Sequence, residues 1–307
     1  MEQGKVKGNY STHKLKAQVS MHIMMVPALI FAIIFSIIPL FGLIIAFQDY
    51  NPSQGIFGSK FVDIWHFRTL FSRPDFGQAL ANTIIIALAK IVAITILSII
   101  FALLINEVQS PMLKKLIQTT IFLPYFLSWI LIGTVFVDMF SLTGAVNNIL
   151  GIFGIEGKYW ITDNLYFRPI IVLTDLWKNL GYQVVVFLAA ITTINSNLYE
   201  AAEIDGAGHW QKCWHITLPG IKPMIVLMCI LNIGNIMNAG FEQILVMYNP
   251  SVYDTGEILD TMGYTIGLLD GNFSVGTAIG LFQAVISCIC FIIAYRIAFK
   301  VSDYKLF

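Results

Sequence analysis

Charge is the scarcest commodity in this chain. Asp, Glu, Lys and Arg make up 12% of its 307 residues, against 57% hydrophobic, and a soluble domain carries roughly 25% charged residues. With a mean hydropathy of +0.76, a chain so poor in charge has lipid as its main solvent. Cysteine is also rare: Cys213, Cys229, Cys288 and Cys290 are the only four. Their spacing matches no zinc motif, so they read as packing residues, and no metal site is expected. No histidine falls inside a confident apolar run, and His22 stands only at the approach to the first. An intramembrane enzyme needs a nucleophile and base or a metal-ligand set there, so no catalytic residue is assigned. A phosphate loop is missing too. The nearest string, Gly151 to Lys158, has five residues between Gly151 and Gly157 where four are required, and Tyr159 stands where Ser or Thr should be.

What the chain has in abundance is long apolar runs. A helix needs about 20 apolar residues to cross a bilayer, whereas a barrel strand needs only about 9–11. Six runs are long enough: Val26–Phe47, Leu80–Leu104, Leu116–Phe140, Ile170–Ile191, Met224–Met247 and Val275–Phe299. They predict an all-α membrane protein of six transmembrane helices. The first run is too long for a signal-peptide core and is read as a retained span, with Pro27 suited to its first turn. Pro124 predicts a kink in the third.

Lys and Arg near span ends stay on the cytoplasmic side. Lys5, Lys7, Lys14, Lys16, Lys114, Lys115, Lys212, Lys222, Arg296, Lys300 and Lys305 fall in the two tails and the second and fourth loops. The other three loops hold Lys60, Arg68, Arg73, Lys158 and Arg168. Both termini are therefore expected in the cytoplasm, with the chain crossing its membrane repeatedly. With no repeat or interdomain linker visible, one domain spanning 1–307 is the simplest partition.

The fourth loop, about 193–222, is polar and carries a recognisable string. Glu200-Ala201-Ala202, then Gly206 four residues after the second Ala, then Ile216-x-Leu218-Pro219 resembles the cytoplasmic signature loop of ABC importer permeases. The residues themselves suggest a docking element. Asn197 can cap a helix and Glu200 can reach back to it. Ala201, Ala202, Asp205 and Gly206 share about 140° of arc on a face nearly free of bulk. Gly206 and Gly208 permit a bend, after which Trp210, Cys213, Trp214 and Thr217 can form a second short helix that Pro219 interrupts. The alternative is a surface helix packed on the bundle's own ends. The resemblance implies a type I ABC importer permease fold in which Glu200, Ala201, Ala202, Asp205, Gly206, Ile216, Leu218 and Pro219 couple the chain to a separate ATPase. ATP and Mg²⁺ would then belong to that partner, and this chain would carry no cofactor.

Polar residues inside the membrane are costly and mark cavities or partners. Asp175, Lys178, Asn179, Tyr182 and Gln183 project within about 140° of arc on the fourth span. Asn232, Asn235, Asn238 and Glu242 share about 120° on the fifth. These two stripes flank the signature loop and suggest a substrate path of Asp175, Lys178, Asn179, Tyr182, Gln183, Asn235, Asn238 and Glu242. Structural alternatives stand beside it: a neutralising Asp175–Lys178 pair, interhelical asparagine bonds, and an interfacial Glu242. Lys90 in the second span is read as snorkelling or paired with an acid elsewhere, and not as a substrate ligand.

The resemblance extends over most of the chain and is nearest to sugar permeases of the maltose and glycerol-phosphate type. Asn235 to Gln243, Tyr248-Asn249-Pro250 and Ala278 to Phe282 are similar to a subgroup for fragments of complex polysaccharides. It implies ATP-driven oligosaccharide import by two permeases, as a heterodimer, with two ATPase subunits and an extracellular binding protein, and no nucleic acid. The external loops, Gln48–Gln78, Ser141–Phe167 and Asn249–Ser274, offer docking surface. Asp254, Glu257, Asp260 and Asp270 in the last stand without Lys or Arg, as an acidic patch or as a merely solvated loop. Two alternatives remain: a secondary transporter driven by an ion gradient, although no inverted repeat is visible, and an importer permease for a solute other than sugar.

Overall fold

A computed structural model describes residues 22–302, with side chains to Lys300. Lys5, Lys7, Lys14, Lys16 and Lys305, which contributed to the orientation, lie outside the described residues. Among the described residues, five helices are long and apolar enough to cross a membrane: His22–Phe47, Pro74–Asn106, Asn164–Thr192, His209–Gly234 and Phe273–Lys300. The sixth crossing is a bent pair, Pro111–Phe126 and Trp129–Met139, at 98° to one another. That pair does traverse the bundle. Lys114 reaches Asn106 at one end, and the Phe140 carbonyl accepts from the Trp160 backbone N–H at the other. A two-residue antiparallel ladder, Gln48–Asp49 with Lys60–Phe61, closes the loop after the first span.

Three expectations need correction. The kink expected at Pro124 is a complete break: a 3₁₀ turn over Leu123–Phe126 ends in extended Leu127, and Ser128 then caps the second half by accepting from the Ile130 N–H. The fifth span is neither uninterrupted over Met224–Met247 nor stopped at Pro219. One helix runs from His209 through Pro219 and Pro223 to Gly234. A turn follows, and a short helix, Phe241–Met247, completes the crossing. Pro27 sits inside the first span's helix rather than in its first turn.

Pro219 is tolerated for a visible reason. A proline cannot donate to the carbonyl four residues back, and its ring crowds that group. Just before it, Cys213–Thr217 forms a wider π turn in which the Leu218 N–H reaches back to Cys213. The same device precedes Pro39 in the first span, where Ile33–Ile37 is a π turn.

The second and fourth spans form the centre of the bundle, the fifth packs against both, and the sixth packs on the fifth and the first. Two apolar cores hold it together. Phe76, Ile86, Phe167, Ile171, Ile244 and Met262 fill the half remote from the signature loop. Ala102, Val184, Phe187, Ile191, Ile221 and Met228 fill the half beside it. Gly181 lets the fourth span approach the broken third so closely that a Cβ there would stand 2.2 Å from the Ile121 carbonyl oxygen, whereas a Cβ on Gly77 would meet nothing. Gly181→Ala should therefore lose about 1–3 kcal/mol despite its better helix propensity, and Gly77→Ala should hold or gain up to about 1 kcal/mol. Thermal unfolding of the two variants in detergent checks this contrast.

Candidate functional site

Between the two cores lies a cavity of about 320 Å³. Of the predicted path residues, Asp175, Asn179, Tyr182, Gln183, Asn235 and Asn238 line it. Two do not. The Lys178 ammonium turns to the Tyr125 carbonyl at 2.8 Å and lies over the rings of Tyr125 and Trp129. There it caps the carbonyl end that the break in the third span leaves open, where a cation is favoured. Glu242 is exposed, at the start of the Phe241–Met247 helix, outside the cavity lining.

Lys90, not expected among the path residues, is in the cavity wall. It stands sixteen residues from either end of its helix, or about 24 Å at 1.5 Å per residue. Its partner is Asp175 at 3.2 Å, not the Lys178 neighbour that helical spacing suggests for that carboxylate. Lys90 also donates to the Ala239 carbonyl at 2.7 Å and to the Gln243 side-chain oxygen. The Gln243 amide in turn donates to the Ile171 carbonyl and to Thr174, each at 2.8 Å. One buried network thus ties the second and fourth spans to the turn that breaks the fifth.

The turn itself is built for this contact. Gly240 adopts φ +98°, and a Cβ on it would stand 2.6 Å from the Lys90 ammonium nitrogen, so glycine is needed on both counts. The Asn238 side chain accepts from the Gly240 N–H, and Asn235 donates to Leu231. Other features of the wall are Tyr125, stacked on Tyr182 with centroids 5.0 Å apart, and Asn232, whose amide nitrogen is buried with no hydrogen-bond partner among the described residues. Asn232 was visible in the fifth-span stripe. Tyr125 gave no such signal, because it reaches the cavity only through the 98° bend.

At one end of the bundle the signature loop stands clear of it. Its helix is Ser196–Ile204, capped by Asn195, whose side chain accepts from the Asn197 N–H. The cap therefore falls two residues before the expected Asn197, because the chain leaves the fourth span early enough for Asn195 to take the extended cap conformation. The helix ends in a Schellman turn. Gly206 at φ +77° donates to the Glu203 carbonyl, and Ala207 donates to that of Ala202. Glu200, Ala201, Asp205 and Gly206 are exposed, and no atom lies within 4 Å of where a Gly206 Cβ would be. Leu218 packs into the adjacent apolar core, Ile216 is half-buried and Pro219 is exposed.

Three contacts brace this loop. Tyr199 meets Thr217 at 2.9 Å, Glu203 accepts from Lys212 at 2.7 Å, and His209 meets Glu107 at 2.9 Å. The Lys212 hydrogen bond holds the Glu203 carboxyl below its usual range. Leu198, Ile204, Trp210 and Trp214 protrude as exposed apolar side chains. Apolar residues in so polar a loop were the clue to them.

A helical bundle with a polar cavity at mid-depth, a broken span beside it and a braced loop at one end defines a solute-conducting membrane component. The sequence carries the same assignment. Residues 94–303 match the model of the binding-protein-dependent transport system inner membrane component family, and the chain belongs to that family. It is similar to the polygalacturonan/rhamnogalacturonan transport system permease protein YteP of Bacillus subtilis, 38% identical over 94% of this chain and 91% of that protein. The arabinooligosaccharides transport system permease protein AraP of Halalkalibacterium halodurans is 29% identical over 86% of this chain and 81% of its own length. In structure it resembles a chain of a bacterial alginate ABC transporter solved with alginate pentasaccharide-bound periplasmic protein. The TM-score is 0.87 at 33% identity, covering 96% of this chain and 99% of that one. The protein is thus a multi-pass inner-membrane transport subunit with the type I ABC permease fold.

Removing one partner of a buried ion pair strands the other. Lys90→Met should cost about 3–5 kcal/mol, and adding Asp175→Leu should recover more than half of that. Unfolding midpoints of the single and double variants give the comparison, and a Lys90→Met midpoint equal to wild type would show that the network does not hold the turn.

Proposed function

We propose that this chain forms the translocation path of an ATP-driven importer for oligosaccharides released from complex polysaccharides, and that its signature loop couples the path to a separate ATPase. The observation that carries the proposal is the unbroken helix from His209 to Gly234. It begins in the signature loop and ends at the turn that walls the cavity, so displacement at one end is delivered to the other. A stiff element with different contacts in two states is what such coupling requires.

The docking face is the small-residue side of the Ser196–Ile204 helix, where Ala201, Asp205 and Gly206 are exposed. Glu200 flanks it, Leu218 and half-buried Ile216 root the loop in the bundle, and Pro219 stands exposed beside them. The ATPase, bearing ATP and Mg²⁺, engages this face from the cytoplasm, with both termini of the permease on the same side. In this reading a second, different permease subunit completes the membrane portion, two ATPase subunits drive it, and an extracellular binding protein delivers the sugar to the opposite end.

The cavity chemistry favours a hydroxylated solute. Asn179, Gln183, Asn235 and Asn238 offer amide donors and acceptors, and the stacked Tyr125–Tyr182 pair offers an aromatic surface. The Lys90 charge is balanced by Asp175, which leaves the wall without net charge. Saccharide names among the relatives support the same class.

Two outcomes are expected in proteoliposomes holding the assembled transporter. Gly206→Trp, which fills the open face and forces a bulky residue into φ +77°, should abolish co-purification of the ATPase or reduce ATP-driven uptake at least tenfold. Asn238→Ala with Gln183→Ala should impair uptake while leaving assembly unchanged. Wild-type coupling in the first, or wild-type uptake in the second, contradicts the assignment of that part.

A further inference from the structure

A second cavity, of about 550 Å³, adjoins the first on the far side of the broken fifth span. Its wall includes Asn238, Phe241, Asp260, Tyr264, Phe273 and Thr277. Asn238 lines both cavities, so the turn from Asn235 to Gly240 is the septum between them.

Asp260 is the chemically unusual member. By sequence it belongs to an acidic outer loop, but in the structure it faces the sixth span. One carboxylate oxygen accepts from the Gln283 amide at 3.0 Å, and that amide also reaches the Met237 carbonyl at 3.3 Å, behind the septum. The other oxygen, Oδ2, is buried and has no hydrogen-bond partner among the described residues. A buried acceptor without a donor is costly, and such groups are rare without a reason. Beside it, Phe241 and Tyr264 form a tilted aromatic pair with centroids 5.6 Å apart. Gly267 and Gly276 bring the sixth span against the preceding turn so closely that a Cβ on Gly276 would stand 2.6 Å from the Gly267 Cα.

The wall therefore combines a carboxylate wanting a donor, an amide at the septum and an aromatic face, and it contains no Lys or Arg. Hydroxyl groups satisfy the carboxylate and the C–H face of a sugar ring suits the aromatics. A uronate would place like charges together. We propose that this cavity is a second saccharide subsite, taking an uncharged pyranose ring of an oligosaccharide that places a ring at least two positions further along in the first cavity. Asp260 accepts a ring hydroxyl and Tyr264 supplies the stacking face. The inference rests on the carbohydrate reading above.

The test uses the complete transporter with its ATPase and binding protein, and fragments of defined length from rhamnogalacturonan, whose rhamnose rings are uncharged pyranoses. Asp260→Asn and Tyr264→Ala should each raise the half-saturating concentration for fragments of three or more rings about tenfold, as expected for loss of one hydrogen bond to a buried charge. Disaccharide uptake should change little. Independently, Thr277→Cys in a chain whose four native cysteines are replaced should react with a methanethiosulfonate reagent, and long fragments should slow that reaction. Wild-type uptake of fragments that neither variant alters, with labelling indifferent to sugar, overturns the subsite and leaves the carbohydrate reading standing. Thr277→Cys shielded in the assembled complex without sugar also overturns it, by showing that the second permease covers the wall. Failure of the wild-type transporter to take up any saccharide overturns the carbohydrate reading, and this inference with it.

Discussion

The architecture depends on one lysine at the middle of the membrane. A charged side chain at that depth costs about 2.5–3.5 kcal/mol on insertion scales, and an interrupted helix exposes backbone groups that lipid cannot satisfy. Each problem answers the other. The fifth span breaks after Gly234, and Lys90 caps the Ala239 carbonyl in the break while Asp175 balances its charge. Gly240 supplies the left-handed conformation and the missing Cβ that let the ammonium come so near. Gln243 then carries the network to the fourth span through Ile171 and Thr174. With that joint in place, an apolar core closes the bundle on either side and a polar cavity remains between them.

The fifth span connects this joint to the signature loop. Pro219 and Pro223 lie within it, and in an ordinary helix two such residues invite bending. The π turn at Cys213–Thr217 takes up the first, and the loop is braced on the span by Tyr199 with Thr217 and Glu203 with Lys212. Stiffness and braces at one end, with a discontinuity at the other, suit an element that delivers displacement to a cavity wall. Small residues face outward on the loop, and bulky Leu198, Ile204, Trp210 and Trp214 flank them.

Much of this was legible in the residues. Apolar run length gave the number of crossings, because the bilayer sets a minimum. Period-3.6 grouping brought Asp175, Asn179, Tyr182 and Gln183 to one cavity wall, because that grouping depends only on helix geometry. What failed depended on partners distant in the chain. Helical spacing offered Lys178 as a partner for Asp175, whereas Lys90, eighty-five residues earlier and read as snorkelling or paired with an acid elsewhere, holds it; a local pattern cannot name a neighbour from another helix. The break after Gly234 was hidden because the turn and the short helix are themselves apolar enough to read as one continuous span. Asp260 looked like part of a solvated loop because nothing nearby in sequence reveals Gln283. Tyr125 was missed because the bend at Pro124 turns a side chain of the third span toward a cavity that a straight helix would not reach.

The central claim is that the fifth span moves as a rigid lever whose displacement is expressed at the break. Spin labels at the exposed positions Trp214 and Leu231 report the lever itself, about 26 Å along its axis at 1.5 Å per residue. Labels at Leu231 and Leu173, exposed on the fifth and fourth spans, report the cavity wall. Pulsed electron-paramagnetic-resonance distances in the complete transporter, with and without ATP trapped on the ATPase, should show the first distance unchanged and the second shifted. A nucleotide-dependent change within the lever, with the wall distance constant, would contradict the account.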